Sequence, residues 1–278
     1  MRKLLRQFVF EGESGRFWYE DTARAVMKFV RGNIKNADKF CQLLAIYSPQ
    51  TGIGPNAGFA VKAYNHWANG EPAETLHVKT SAMDKKAIDV LYNDKPWAGR
   101  KTNSFYSNIM YDIVMQDPEE ARKAGIDVDD VLSGRATIDL WMLRAFGYEK
   151  DAASDDKIQG KYSFSENETR RLTAELNVEL AEGEEPWTPH QVQAAIWTAV
   201  KTRYEIPEVK KLTNEKSAKQ GLITQTGNTY SYDHMSAEQT RAHHANWRKF
   251  AMQPDSETVT ELAKVAGRSF ADEFVRQT

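Results

Sequence analysis

Only one cysteine, Cys41, occurs in the 278 residues. A single thiol excludes an internal disulfide, a cysteine-ligated zinc site and a four-cysteine iron–sulfur cluster. Cys41 sits inside the apolar run "FCQLLAIY", where it reads as a small buried hydrophobe rather than a nucleophile. An excess of charge of either sign is also missing: 37 Lys and Arg stand against 39 Asp and Glu, a formal net charge of −2. Contact with nucleic acid therefore has to come from local basic patches rather than a global field. No apolar run approaches the roughly 18 residues that a membrane span needs. The basic N-terminus "MRKLLRQFVFEGESGR" has too short an apolar stretch for a secretory signal. The expectation is a cytoplasmic protein without a membrane partner. The six histidines are scattered, and the adjacent His243 and His244 point to different sides of a helix, so neither a metal site nor a cofactor is implied.

Strand signals are as scarce as cysteine, and helix signals are dense. From Asn36, the residues Phe40, Leu43, Leu44 and Tyr47 recur at helical spacing, and the run stops at Ser48-Pro49. Gly54-Pro55-Asn56 opens a second helix, with Phe59, Ala60, Ala63 and Trp67 on one stripe. A cap followed by an acid or Gln three residues on recurs at Ser81, Asp117, Asp127, Ser165, Thr188 and Ser236. Each pairs an N-cap acceptor with a reciprocal acceptor one turn later. A last helix is expected from about Asp255. The segment 217–235, polar with two glycines and two tyrosines, reads as a binding loop. The segment 149–163 reads as a hinge. Roughly ten helices and few or no strands give an all-α chain, read as a single unit of two helical lobes with a cleft between them. The lobes span about 30–150, and 1–29 with 160–278.

Three segments carry candidate chemistry. In "SGRATIDLWMLRAFGY", Asp139 stands at the start of a short helix, with Gly147 as its C-terminal glycine. It is either an ordinary N-cap or an acid aimed into a site; Gly134, Arg135, Trp141 and Arg144 around it favour the second. In "WAGRKTNSFYSN", Arg100, Lys101 and Thr102 begin a helix whose amides suit a phosphate. In "IYSPQTGIGPN", a helix breaks and restarts around an exposed turn tipped by Gln50 and Thr51, which suits reading a base edge or filling a gap in a duplex. Phe17, Trp18 and Tyr19 read mainly as core, with Trp18 able to supply a stacking wall.

These segments, in this order, resemble the helix-hairpin-helix DNA glycosylase superfamily. "SPQT" (Ser48 to Thr51) is similar to that family's Ser/Gln-Gln-Thr turn, and "AGRKTN" (Ala98 to Asn103) to its phosphate-gripping hairpin. "TIDLWMLRAFG" (Thr137 to Gly147) is similar to the stretch around its catalytic aspartate. The resemblance implies Asp139 as catalytic carboxylate and Arg144 as the basic residue one turn on. It implies Tyr47, Gln50, Trp141 and Trp18 around the target base, and Thr51, Arg100, Lys101, Thr102, Arg135 and Arg144 on DNA. Trp141 stands where the family carries His, and the stretch between Lys101 and Asp139 is longer than the usual single helix. With no lysine placed for a Schiff base, the implied activity is a monofunctional hydrolase, with no cofactor and no metal. It would act as a monomer on double-stranded DNA, with modified phage DNA as the candidate substrate, in anti-phage defence. Two other readings stand beside it: a transferase on the same fold that modifies a base in phage DNA, and a non-catalytic helical DNA-binding module.

Overall fold

The computed structural model of the protein describes residues 2–97, 99–146 and 160–205. Among these residues eleven α-helices run in chain order: α1 (Arg2–Glu11), α2 (Trp18–Phe29), α3 (Ile34–Tyr47), α4 (Ile53–Ala68), α5 (Ser81–Tyr92), α6 (Arg100–Gln116), α7 (Pro118–Lys123), α8 (Val128–Val131), α9 (Leu140–Ala145), α10 (Lys161–Val178) and α11 (Pro189–Glu205). Two short 3-10 turns interrupt them, and no strand occurs among the described residues, so the chain is all-α as expected. The binding loop expected at 217–235, the cap at Ser236, the histidines beyond residue 205, the terminal helix and residues 147–159 lie outside the described residues.

Two units emerge, and their borders differ from those expected. One contains residues 2–17, 136–146 and 160–205; the other contains residues 18–97 and 99–135. The expected borders lay near 30 and 150. Helix α2 packs on α3 and α6, which brings it into the second unit. Ala136, Ile138, Met142 and Phe146 share a core with Leu172, Val192 and Ile196, which brings Asp139 into the first. A pattern of caps shows where helices start, whereas side-chain packing decides which helices group together.

In the second unit α3 is the central helix, with α4, α5 and α6 against it. Every residue from Lys39 to Tyr47 is buried, so the apolar stripe anticipated on one face extends around the helix. A helix enclosed on all sides has to satisfy its polar side chains internally. Lys39 does so by donating to the carbonyls of Val90 and Leu91, at 2.8 and 3.1 Å, and to Asp94 at 2.6 Å. Cys41 is buried as anticipated, and burial pushes its thiol well above the usual range. The native protein should therefore resist an aromatic disulfide reagent at mildly alkaline pH and react fully once unfolded. Rapid reaction of the folded protein, followed by absorbance, would place Cys41 at the surface instead.

Three of the five anticipated caps that fall on described residues are present. Asp117 accepts from Glu120 N at 2.9 Å and Asp127 from Asp130 N at 3.0 Å. Thr188 and Gln191 exchange a reciprocal pair of hydrogen bonds ahead of α11. The cap of α5 is Thr80, one residue before Ser81, because Thr80 Oγ1 is the acceptor for Met83 N. Ser165 is not a cap. It is buried inside α10, which begins at Lys161 after Gly160 in a left-handed conformation (φ 67°). Tyr162, ahead of the apparent cap, is already part of the core and draws the helix start back one turn.

Candidate functional site

Asp139 follows a non-helical stretch, Ala136 to Ile138, whose backbone is tied to α10 through the Tyr162 hydroxyl. It is the N-cap of α9: its Oδ1 accepts from Met142 N at 3.0 Å. Its Oδ2 accepts from the indole N–H of Trp197 on α11 at 2.9 Å. Both oxygens thus act as acceptors, and two elements 58 positions apart in sequence orient one half-buried carboxylate. Capping explains the first contact. It does not require the second.

The two helices that meet at this carboxylate carry aromatic and cationic side chains. The Arg144 guanidinium stacks 4.6 Å from the Trp141 ring centroid, and Lys201 Nζ lies 4.8 Å from that of Trp197. Trp141, Arg144 and Trp197 are all half-buried. Trp197 and Lys201 were not anticipated. Nothing in the local sequence points to them, because α11 is buried along nearly all its described length and no spacing singles these two positions out. Only the approach of α11 to α9 gives Trp197 its acceptor.

The remaining anticipated residues belong to the second unit, and several have structural duties. Tyr47 was expected beside a base, but it is fully buried and its hydroxyl donates to Asp84 at 3.0 Å. It is a core residue. Thr51 donates to the carbonyls of Tyr47 (2.6 Å) and Pro49 (3.0 Å) and accepts from Lys79, so its hydroxyl ties the turn together instead of facing DNA. The result is a braced turn tipped by Gln50, which is exposed and held at φ 54°. A non-glycine residue in that region is uncommon and is kept there by its surroundings.

Thr102 is likewise committed: it donates to the Gly99 carbonyl at 2.9 Å and accepts from the Trp97 indole at 3.1 Å. Arg100 is exposed and Lys101 half-exposed at the start of α6, which carries no side-chain cap. Arg135 pairs with Asp130 and reaches Ser133 Oγ at 3.2 Å. Trp18 is half-buried against Tyr19 (ring centroids 4.8 Å apart) and Phe105 (6.0 Å). The long stretch between Lys101 and Asp139 is filled by the rest of α6 and by the short helices α7 and α8, with a tight turn at Gly125 (φ 88°) between them.

Residues 10–204 match a family of unknown function, DUF7178. The chain belongs to this family. No curated protein and no solved structure matches it. The matched span contains Gln50, Arg100, Lys101, Asp139, Trp141 and Trp197, so both units of this family member contribute to it. Among the described residues no helix is long and apolar enough to cross a membrane. Nor do three His, Cys, Asp or Glu side chains converge there as they would around a metal ion.

Proposed function

We propose that this protein is a DNA N-glycosylase of the helix-hairpin-helix kind, with Asp139 as its catalytic carboxylate. The observation that carries the reading is the double anchoring of Asp139 by Met142 N and Trp197 Nε1, with Trp141 and Arg144 on the helix it caps and Lys201 on the helix of Trp197. A carboxylate held rigid by two donors keeps lone pairs for a third partner. Placed beside the anomeric carbon of an extruded nucleotide, it stabilises positive charge on the sugar as the bond to the base breaks. The same carboxylate orients the water that adds to that carbon, and the departing base takes up a proton. An abasic site remains.

Arg100 and Lys101 at the uncapped start of α6 support contact with backbone phosphate. Gln50, projected from its braced turn, supports a role in the space a displaced base leaves. Modified bases of phage DNA are the substrate class to test first.

The test is incubation of the full chain with unmodified DNA and with hydroxymethylated or glucosylated phage DNA, scoring abasic sites by alkaline cleavage. Base loss from either DNA supports the reading. Intact glycosidic bonds in all of them, with unchanged DNA mass, sink it; a gain in mass would indicate a base-modifying transferase. The cap geometry by itself also suits a non-catalytic helical module, for which Asp139 matters only to stability.

Trp197 offers a finer check. Trp197→Phe keeps an aromatic ring and removes the donor to Asp139 Oδ2, so base release should slow about tenfold. The fall should appear in kcat, with DNA affinity and melting temperature little changed. An unaltered kcat would reduce the indole contact to packing.

A further inference from the structure

Within the second unit a cavity of about 410 Å³ opens between α3, α6, α8 and the segment after α5. Asp38, Asp94, Asp127 and Asp130 line it together with Lys35, Lys39 and the rings of Trp97 and Tyr106, so acids outnumber cations there. What these residues already bind decides what the cavity lacks. Lys39 directs its ammonium to Asp94 and to two carbonyls of α5. Asp127 caps α8, and Asp130 is taken up by Asn103 and Arg135.

Asp38 is different. Its donors are the Tyr106 hydroxyl, at 2.6 Å, and the Gln42 amide, at 3.1 Å from each carboxylate oxygen, and both are neutral. Among the described residues no cation lies within ion-pair distance of it. Burial raises its carboxyl above the ordinary range, against the pull of those hydrogen bonds and of the nearby Lys39 ammonium. A partly buried carboxylate bonded only to neutral donors, whose nearest cation spends its hydrogen bonds on Asp94 and two carbonyls, has room for a further counter-charge.

Two observations give the chemical class of that counter-charge. The acids are not gathered as metal ligands: no group of three His, Cys, Asp or Glu suited to an ion occurs among the described residues. The aromatic wall already attracts a cation, since Lys86 Nζ lies 3.8 Å from the Trp97 ring centroid. The volume falls in the range of small-molecule sites, about 300 to 1,000 Å³. We propose that this cavity binds a small organic cation, an alkylammonium or alkylguanidinium group seated on Asp38 between Trp97 and Tyr106. The site is separate from the chemistry at Asp139 and does not depend on it.

The test is titration of the full chain with n-butylammonium and n-butylguanidinium chloride, followed by ligand-observed NMR at constant ionic strength. Millimolar binding that weakens about tenfold or more in Asp38→Asn is expected, because asparagine keeps the shape and removes the charge. Absence of binding at tens of millimolar, or equal binding by the variant, overturns the proposal. So does displacement of the probes by magnesium beyond the effect of matched sodium chloride, which would make the site inorganic. If Asp38→Asn does not fold, Trp97→Leu decides: weaker binding supports the aromatic wall, and unchanged binding overturns it.

Discussion

Asp139→Asn is expected to reduce base release by at least about 100-fold while leaving the protein folded. Asparagine is as good an N-cap as aspartate, so its single amide oxygen is able to keep the bond from Met142 N. Its side chain can still accept from Trp197 if the amide oxygen faces the indole, or cap α9 with that oxygen instead, but it cannot do both. The loss to stability should stay near 1 kcal/mol, from the missing acceptor and the missing charge at the helix start. Asp139→Ala removes both acceptors and leaves the indole N–H and the α9 amide without this partner, so it should cost about 2 kcal/mol or more. Steady-state kinetics on the DNA that is cleaved, run beside thermal melts of both variants, separates the two roles. If activity in both variants tracks only the fraction folded, Asp139 is a cap and nothing more.

Gly12→Ala should be among the most damaging single-methyl changes in the chain, at about 3 kcal/mol or more. A Cβ at Gly12 would stand 1.9 Å from the carbonyl oxygen of Ala195, 2.8 Å from its carbon and 2.9 Å from the amide nitrogen of Ala199. All three are backbone atoms of α11, so relief requires the helix itself to move. That helix packs on α1 through Leu5, Phe8 and Val9, and a shift would open this core. Gly12 has an ordinary negative φ of −102°, so its role is close approach and not an unusual backbone conformation. Gly15→Ala is the internal comparison. There the nearest atom is Oγ1 of Thr198, at 2.1 Å, which belongs to a side chain. A milder loss, about 1 to 2 kcal/mol, follows. Denaturant titration measures both. A neutral Gly12→Ala would mean that α1 and α11 are not held this closely.

The two variants probe different links of the same unit. Gly12 governs how near α11 can come to the N-terminal segment, and α11 carries Trp197 to Asp139. A Gly12 variant that folds in part should therefore lose base release in proportion to its loss of native structure, whereas Asp139→Asn loses it at full folding.

Sequence alone determined the class of the fold, because it rests on local physics. Caps at Asp117, Asp127, Asp139 and Thr188 satisfy amides three residues away, and the spacing of Phe40, Leu43, Leu44 and Tyr47 needs only the period of a helix. For the same reason the solitary Cys41 could be read as buried from its neighbours. Ser165 shows the limit of such reasoning: its cap pattern is correct as a pattern, yet the core claims Tyr162 and the helix begins a turn earlier. What only the tertiary structure decided is which side chains meet. Tyr47 passes from supposed base contact to core through Asp84, Thr51 and Thr102 turn their hydroxyls onto their own loops, and Asp139 gains Trp197 from 58 residues away. Those outcomes depend on how helices are brought together. Hydrophobic burial drives that packing without direction, and no spacing within a single helix records it.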